Sequence, residues 1–231
     1  MLLQDLLYLF YPEVCAACHQ ALIKGERCVC LSCRYKLPKT DFHCNPENPM
    51  AKSFWGRLPL ETAVACYYFN KGEKVQSMLH ALKYKGREDL GREIGKMYGN
   101  DLRESGQLKP VDFIVPVPLH PKKLRKRGYN QSACFAEGLA EGLGVAYSDR
   151  ILKRTVNTAT QTRKSKLARW KNVKDVFCVD PTVLEGQLDN THVLLVDDVV
   201  TTGATLEAAA RVLLEKANLS ISLGAMAFAT R

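Results

Sequence analysis

The sequence contains no long apolar run. No stretch of its 231 residues approaches the roughly 18–20 consecutive apolar residues that a membrane-spanning helix needs. Residues 1–10 are apolar, but they include Asp5 and no basic segment, and no small-residue cleavage site follows them. They therefore do not resemble a signal peptide. We expect a soluble, cytoplasmic protein without a membrane span.

Negative charge is scarce relative to positive charge. The chain has 24 acidic and 33 basic residues, which gives a formal net charge of +9 at pH 7. Such a balance favours anionic partners such as phosphates, nucleotides or nucleic acid. A generally basic, well-solvated surface would explain the same charge equally well.

The cysteine distribution argues against a secreted disulfide framework. The nine cysteines are an odd number in a chain without a signal peptide. Three of them, Cys66, Cys134 and Cys178, lie in apolar stretches and are expected to be small core residues. The other six are crowded into the first fifth of the chain: Cys15, Cys18, Cys28, Cys30, Cys33 and Cys44.

Two CxxC pairs within this crowded region predict a zinc site. Their spacing is Cys15-x₂-Cys18-x₁₁-Cys30-x₂-Cys33, which is typical of four thiolates around a tetrahedral Zn²⁺. Four thiolates leave no open coordination position, so the zinc would be structural. Cys28 could replace Cys30 in another register, and His43 and Cys44 are spare ligands. Reduced free thiols are the alternative without a metal. We predict one zinc.

The rest of the chain predicts an α/β fold with a mostly parallel sheet flanked by helices. Apolar strand patterns alternate with helical spacing from residue 62 onwards, and some strands are apolar on both faces. Predicted strands are 63–69, 111–117, 151–152, 176–179, 192–197 and 221–228, and predicted helices are 75–82, 87–103, 135–143 and 206–217. The turn-like segment 45–50 separates a small zinc-binding subdomain, residues 1–50, from the main domain, residues 62–231.

The segment 193–205, VLLVDDVVTTGAT, predicts a site for a phosphorylated ribose. An apolar strand is expected to end at Asp197 and Asp198, where ligands of open α/β sheets bind. These acids can accept hydrogen bonds from a ribose diol or hold Mg²⁺ through water. The loop that follows offers small residues, hydroxyls and helix N-terminal amides to a phosphate. The alternative is a buried strand whose acid pair caps the next helix.

A basic segment follows another predicted core strand. Residues 115–131, VPVPLHPKKLRKRGYNQ, hold five cations in six positions: Lys122, Lys123, Arg125, Lys126 and Arg127. We expect a proline-rich loop that concentrates positive charge for pyrophosphate. A solvated basic turn and a contact to a nucleic-acid backbone are the alternatives.

Together these segments resemble the ComF competence family, which is similar to type I phosphoribosyltransferases. The resemblance extends to the N-terminal cysteines, to LKYKGR at residues 82–87, and to Gln161, Thr162, Arg169 and Asn172. It implies binding of 5-phosphoribosyl-1-pyrophosphate (PRPP) with Mg²⁺, and a mobile flap at residues 154–172. The catalytic role would fall to Asp197 and Asp198. The implied binding residues are Val115, Pro116, Val117, Lys126, Arg127, Val199, Thr201, Thr202, Gly203, Ala204 and Thr205.

Two functions from different classes follow from this resemblance. The first is an enzyme that transfers phosphoribosyl from PRPP to a nitrogen acceptor, which the sequence does not identify. The second is a competence factor that binds single-stranded DNA and uses PRPP as a ligand without turnover. A regulator that only senses PRPP is a third alternative. Other competence proteins are expected partners.

Overall fold

A five-stranded parallel sheet forms the centre of the protein. The computed structural model describes residues 12–154, 176–183 and 186–230. The strands follow the order β1-β7-β6-β2-β3, and a separate antiparallel pair joins β4 to β5. The strands are β1 (Ala63–Phe69), β2 (Phe113–Pro116), β3 (Ala146–Tyr147), β4 (Leu152–Arg154), β5 (Phe177–Val179), β6 (His192–Val200) and β7 (Ser220–Ala229).

Helices cover both faces of this sheet. In the described ranges, the α-helices are α1 (Leu31–Lys36), α2 (Pro49–Lys52), α3 (Lys74–Tyr84), α4 (Glu88–Ser105), α5 (Pro121–Arg127), α6 (Gln131–Leu143) and α7 (Ala204–Lys216). The predicted fold class is confirmed, and each predicted strand and helix is present within a few residues of its expected bounds. The sequence patterns did not predict α1, α2, α5 or β3. Among the described residues, no helix is both long and apolar enough to cross a membrane.

The central strand β6 divides the interior into two cores. Leu194 and Val196 face a core built with α3, α4 and α6, whereas Val193 and Leu195 face a core built with α7 and the β4–β5 pair. All four side chains are fully buried. Because successive side chains of a strand point to opposite faces, a strand between two cores must be apolar at every position. This requirement explains the unbroken apolar run in the sequence.

Helices α4 and α6 pack with their backbones almost in contact. A Cβ atom on Gly138 would lie 1.9 Å from the carbonyl oxygen of Arg92, and one on Gly95 would lie 2.2 Å from that of Phe135. Ion pairs flank this seam, including Arg92 with Glu137 at 2.7 Å. The close contact leaves α6 little freedom to shift relative to α4, which fixes the position of the α6 N-terminus.

The N-terminal segment packs against the main sheet. Leu22, Val29 and Leu37 are buried in the first core, and Phe42 and Met50 are buried in the second. The division into residues 1–50 and 62–231 stays a prediction. The described parts of both units contribute side chains to the same two cores.

Candidate functional site

The acid pair Asp197–Asp198 lies within β6 and not at its end. The prediction that the strand ends at these acids was wrong, because β6 continues to Val200 alongside β7. Its pairing with β2, however, stops at Pro116 opposite Val196. The two acids therefore extend beyond the end of a neighbouring strand, at the carboxyl edge of the sheet, which is where α/β proteins bind ligands.

Asp197 is surrounded in a way that disfavours its charge. The Ser132 hydroxyl, at the start of α6, donates a 2.8 Å hydrogen bond to Asp197 Oδ1, and the backbone amide of Asp198 donates another of 2.8 Å to the same oxygen. Burial and the negative charge of Asp198 outweigh these bonds and the nearby Lys83 cation. They raise the pKa of Asp197 to about 7. This carboxyl group can therefore exchange a proton near neutral pH.

Asp198 forms an ion pair with Lys83. Lys83 Nζ lies 2.8 Å from Asp198 Oδ2, and the two side chains are 26% and 15% exposed. Lys83 comes from the end of α3, in the LKYKGR segment, for which the sequence offered a family resemblance but no role. Ser132 was missed altogether, because a serine in an amphipathic helix carries no signal of its own.

Residues 201–205, which we call the phosphate loop after the ligand that the sequence predicts for them, join the end of β6 to the start of α7. Gly203 has φ +75°, and a Cβ at this position would lie 2.4 Å from the ring of Phe54. In the described part of the chain, the amides of Thr202, Gly203 and Thr205 make no hydrogen bond. The amide of Ala204 donates to Thr202 Oγ1 at 3.4 Å. Free amides at the start of α7 suit an anion such as phosphate.

Phe54 and Arg57, which follow α2, contact the phosphate loop. Phe54 is fully buried under Gly203, and the Arg57 guanidinium donates to the carbonyl oxygens of Ser53 at 2.7 Å and Thr202 at 3.4 Å. Arg57 also pairs with Glu207 on α7. These residues lie about 150 positions before the loop in the sequence, and no pattern in their own segment pointed to this role.

The basic segment is a helix, α5, and not the proline-rich loop expected from the sequence. Pro121 occupies the first helical turn, His120 Nδ1 accepts the amide of Lys122 at 3.1 Å, and Gly128 ends the helix with φ +88°. Proline at the start, glycine after the end and good helix formers between them explain the helix. The helical turn distributes the five cations over different faces.

Three of these cations line a cavity with Lys83. We call this cavity, of about 350 Å³, the cationic cavity. The residues around it are Lys83, Tyr84, Gly86, Lys123, Lys126, Arg127 and Tyr129. Arg127 lies 5.4 Å above the ring of Tyr84 and donates to Gln131. Because Lys83 also pairs with Asp198, the cationic cavity adjoins the acid pair.

Two of the three backbone positions in the segment Val115–Val117 have no free amide proton. Val115 and Val117 are buried, and the Val117 amide donates to the Val196 carbonyl oxygen at 2.8 Å. The Val117 carbonyl oxygen accepts from Asn130 Nδ2 at 3.0 Å, and Pro116 has no amide proton. Among the described residues, the cationic cavity brings positive charge close to the acid pair.

The four cysteines of the two CxxC pairs converge. The Sγ atoms of Cys15, Cys18, Cys30 and Cys33 all lie within 4.8 Å of one another, and those of Cys18 and Cys30 are 3.8 Å apart. Zinc–sulfur bonds of about 2.3 Å in a tetrahedron require sulfur–sulfur distances of about 3.8 Å. The cluster therefore has the dimensions to hold a zinc ion.

The environment of Cys15 favours a metal-binding thiolate. Its burial alone would raise the pKa of the thiol, but backbone amides of Cys30, Cys18 and Ala17 stabilise the thiolate and lower the pKa to about 7. Cys28 points elsewhere, with its Sγ atom 3.1 Å from Asp89 Oδ2. Burial and Asp89 raise the pKa of Cys28 to about 12. We call residues 15–33 the cysteine knuckle.

The predicted flap lies almost wholly outside the described residues. Only Arg154 of the segment 154–172 is described, at the end of β4, with its guanidinium 5.3 Å above the ring of Phe177. The residues Gln161, Thr162, Arg169 and Asn172 lie in the part that is not described.

Comparison with known proteins agrees with the fold and the motifs. Residues 130–231 match the family model described as "Phosphoribosyl transferase domain". With the parallel sheet and its flanking helices, this match defines the class as an α/β protein with a phosphoribosyltransferase-like fold. Glutamine phosphoribosylpyrophosphate (PRPP) amidotransferase from B. subtilis is 18% identical, with a TM-score of 0.41, over 62% of this chain and 30% of that chain.

Two relatives extend the similarity over most of the chain. "DNA utilization protein YhgH" of Salmonella typhimurium is 26% identical over 223 residues, which cover 92% of this chain and 95% of the relative. "Competence protein ComFC" of Bacillus subtilis is 30% identical over 209 residues, which cover 84% of this chain and 81% of the relative. The chain belongs to the ComF family of competence proteins.

Proposed function

We propose that this protein binds PRPP with Mg²⁺ between the phosphate loop and the cationic cavity. The observation that carries the proposal is the position of Lys83, which lines the cationic cavity and also pairs with Asp198 at 2.8 Å. A site for a diphosphate group and a site for a ribose would then be adjacent, as they must be for a ligand in which the two are joined.

Each part of PRPP has a matching group in this arrangement. The free amides of the phosphate loop suit the 5′-phosphate, and the carboxylates of Asp197 and Asp198 suit the ribose hydroxyls. Lys126 and Arg127 supply charge for the pyrophosphate, with Lys83 and Lys123 beside them. Carboxylate oxygens also suit Mg²⁺, which would arrive with the diphosphate.

The first test removes the charge of the acid pair. The double substitution Asp197→Asn with Asp198→Asn keeps the shape of both side chains, so the fold should survive. Each charge-assisted hydrogen bond that is removed should cost about 1.5–3 kcal/mol of binding free energy. Calorimetry should show PRPP–Mg²⁺ affinity falling by at least tenfold. Unchanged affinity in a folded double variant would contradict the assignment.

We further propose phosphoribosyl transfer to a nitrogen acceptor. A nitrogen lone pair would form a bond to C1 of the ribose while the bond from C1 to the pyrophosphate oxygen breaks. Pyrophosphate would leave with the bonding electrons, and the nitrogen would lose a proton to solvent water. The protein would act by positioning the reactants and stabilising the charge on the leaving group. Turnover is tested by measuring pyrophosphate release from PRPP in the presence of ammonia, amines or nucleobases. If none of these acceptors causes release, PRPP would be a ligand that the protein does not convert.

The second candidate function is binding of single-stranded DNA. Lys122 and Arg125 are exposed on α5 and do not line the cationic cavity, and the ring of Tyr84 is 68% exposed. Exposed cations and an exposed aromatic ring on the same protein surface suit a nucleic-acid backbone and a stacked base. The names of two relatives, "DNA utilization protein YhgH" and "Competence protein ComFC", support the proposal of a role that involves DNA. The slope of affinity against salt concentration measures how many phosphates the protein neutralises.

We also propose that the cysteine knuckle holds one structural zinc ion. The dimensions of the four-thiol cluster and the stabilised thiolate of Cys15 support this assignment. When bound, the metal would cross-link the two CxxC turns, and a closed set of four thiolates would leave no position for a substrate.

A further inference from the structure

A hydrogen-bonded bridge connects the cysteine knuckle to the turn between α3 and α4. The Cys28 thiol donates to Asp89 Oδ2 at 3.1 Å, and the same carboxylate accepts from Arg87 Nη2 at 2.8 Å and from Arg87 Nε at 3.0 Å. Cys28 is buried, whereas the side chains of Arg87 and Asp89 are 27% and 55% exposed. The bridge joins residues 61 positions apart in the sequence.

The turn held by this bridge carries part of the proposed ligand site. Arg87 is the N-cap residue immediately before α4, and Gly86 beside it has φ +68°. Gly86, Tyr84 and Lys83, immediately before the bridge, line the cationic cavity. Lys83 also pairs with Asp198. A shift of this turn would therefore move three residues that line the cavity. One of them, Lys83, is the ion-pair partner of Asp198.

Further contacts align α4 with the N-terminal segment along the same side of the helix. Arg34 Nη2 lies 2.8 Å from Glu93, and Lys39 Nζ lies 2.7 Å from Asp101. Asp89, Glu93 and Asp101 are spaced four and eight residues apart, so they share one face of α4. Of these three contacts, only the one at Asp89 also involves the turn that lines the cavity.

We propose that the Cys28–Asp89–Arg87 bridge is a positioning device, which couples the cysteine knuckle to the affinity of the PRPP site. Cys28 lies between the two CxxC pairs and directs its thiol away from the four-thiol cluster. The Cys28 thiol fixes the position of Asp89 by a hydrogen bond, and Asp89 in turn fixes Arg87 in the α3–α4 turn. Lys83, just before this turn, pairs with Asp198. The inference rests on the proposed function.

The test uses Cys28→Ala, Cys28→Ser and Asp89→Asn. Cys28→Ala removes the donor, Cys28→Ser replaces the thiol by another donor, and Asp89→Asn weakens the bridge from the α4 side. Cys66→Ala is the matched control, because Cys66 is equally buried but is not part of the bridge. Zinc content, PRPP–Mg²⁺ affinity and hydrogen exchange of residues 82–90 are measured for each full-length variant.

We expect Cys28→Ala and Asp89→Asn to weaken PRPP binding about three- to tenfold, the effect of removing a partly exposed hydrogen bond of about 1 kcal/mol. Both should keep one zinc per chain and exchange faster at residues 82–90. Cys28→Ser should recover most of the affinity, and Cys66→Ala should bind like the unaltered protein. If Cys28→Ala loses zinc, the effect of the bridge on PRPP affinity is taken from Asp89→Asn, because Asp89 is not one of the four clustered cysteines.

Two failures are distinguishable. If the unaltered protein does not bind PRPP–Mg²⁺, the proposed function is wrong, and hydrogen exchange still reports whether the bridge holds the turn. If the unaltered protein binds and Asp89→Asn binds equally well with unchanged exchange at residues 82–90, the positioning role is wrong. Equal weakening by Cys66→Ala would likewise reduce the effect to general loss of packing and overturn the inference.

Discussion

At the scale of single residues, the surroundings of Asp197 oppose stability near neutral pH. Its burial and the adjacent charge of Asp198 favour the protonated carboxyl and raise its pKa to about 7. In an unfolded chain this group would titrate near its ordinary value of 3.8. The folded protein therefore binds one more proton than the unfolded chain between these two pH values, so its stability should fall as pH rises from about 4 to about 7.

The fall of stability with rising pH predicts how Asp197→Asn changes the melting temperature. An asparagine can still accept the bonds from Ser132 and the Asp198 amide, but it cannot ionise. We expect its melting temperature to exceed that of the unaltered protein at pH 8 by a few degrees, since about 1 kcal/mol shifts a chain of this size by about 2–4 °C. The advantage should shrink as pH falls towards 4. An advantage independent of pH would contradict the raised pKa.

Asp180 is the matched control with the opposite sign. Lys153 and the amide and hydroxyl of Thr182 lower the pKa of Asp180 to about 2. The charged form of this group stabilises the fold above a pH of about 4, and this contribution disappears as pH falls towards 2. Asp180→Asn should therefore lower the melting temperature at pH 8, where Asp197→Asn raises it.

At the scale of secondary-structure elements, α5 divides its cations between two surfaces. Lys123, Lys126 and Arg127 line the cationic cavity, whereas Lys122 and Arg125 do not. A flexible loop could bring all five to one ligand, but a helix of seven residues cannot, because its side chains project at fixed angles. Because the cations lie on two surfaces of the helix, separate substitutions on each surface can test which anionic ligand binds there.

Neutralising Lys126 and Arg127 to glutamine should weaken PRPP more than ribose 5-phosphate, which lacks the pyrophosphate. The matched variant Lys122→Gln with Arg125→Gln removes the same charge from the same helix. It should leave PRPP affinity within about twofold and weaken single-stranded DNA, with a salt slope reduced by about 0.7 for each phosphate that the variant no longer neutralises. Calorimetry and fluorescence titration measure the two ligands. If both variants bind PRPP and single-stranded DNA as tightly as the unaltered protein does, the cations of α5 are solvated and have no binding role.

At the scale of the whole molecule, the cysteine knuckle is part of the main fold. Leu22 and Val29 of the cysteine knuckle are buried in the core that also contains α3, α4 and α6. Loss of the knuckle would therefore expose apolar surface on these helices. Small metal-binding units take much of their folding free energy from the metal, so we expect the stability of the main domain to depend on zinc.

We predict one zinc per chain, held by Cys15, Cys18, Cys30 and Cys33. Cys30→Ser should lose the metal, whereas Cys28→Ser should keep it, because the Cys28 thiol points to Asp89. Chelation should make residues 12–50 sensitive to protease and lower the melting temperature of the whole chain. Metal analysis of protein purified without chelator provides the count. Zinc retained by Cys30→Ser and released by Cys28→Ser would reverse the register.

The sequence by itself determined the fold class and the elements of the main sheet. Local periodicity was enough for β1, β6 and α4, because burial on one or both faces leaves a repeat that is visible within a single segment. The two CxxC pairs and the segment 193–205 were visible for the same reason: each is a local string whose chemistry depends on neighbouring residues. The helix α5 was missed although its start and stop signals, Pro121 and Gly128, were present, because five cations and the nearby prolines suggested a loop.

Only the tertiary structure decided how the candidate site is assembled. Lys83 meets Asp198, Ser132 bonds Asp197 from 65 positions away, and the ring of Phe54 lies against Gly203. The structure likewise places Cys30 in the thiol cluster, whereas the thiol of Cys28 contacts Asp89, 61 positions further on. Spacing along a chain carries no record of which distant side chains meet. Those contacts arise when sheet order and helix packing bring the carboxyl edge of β6, the end of α3 and the start of α6 together.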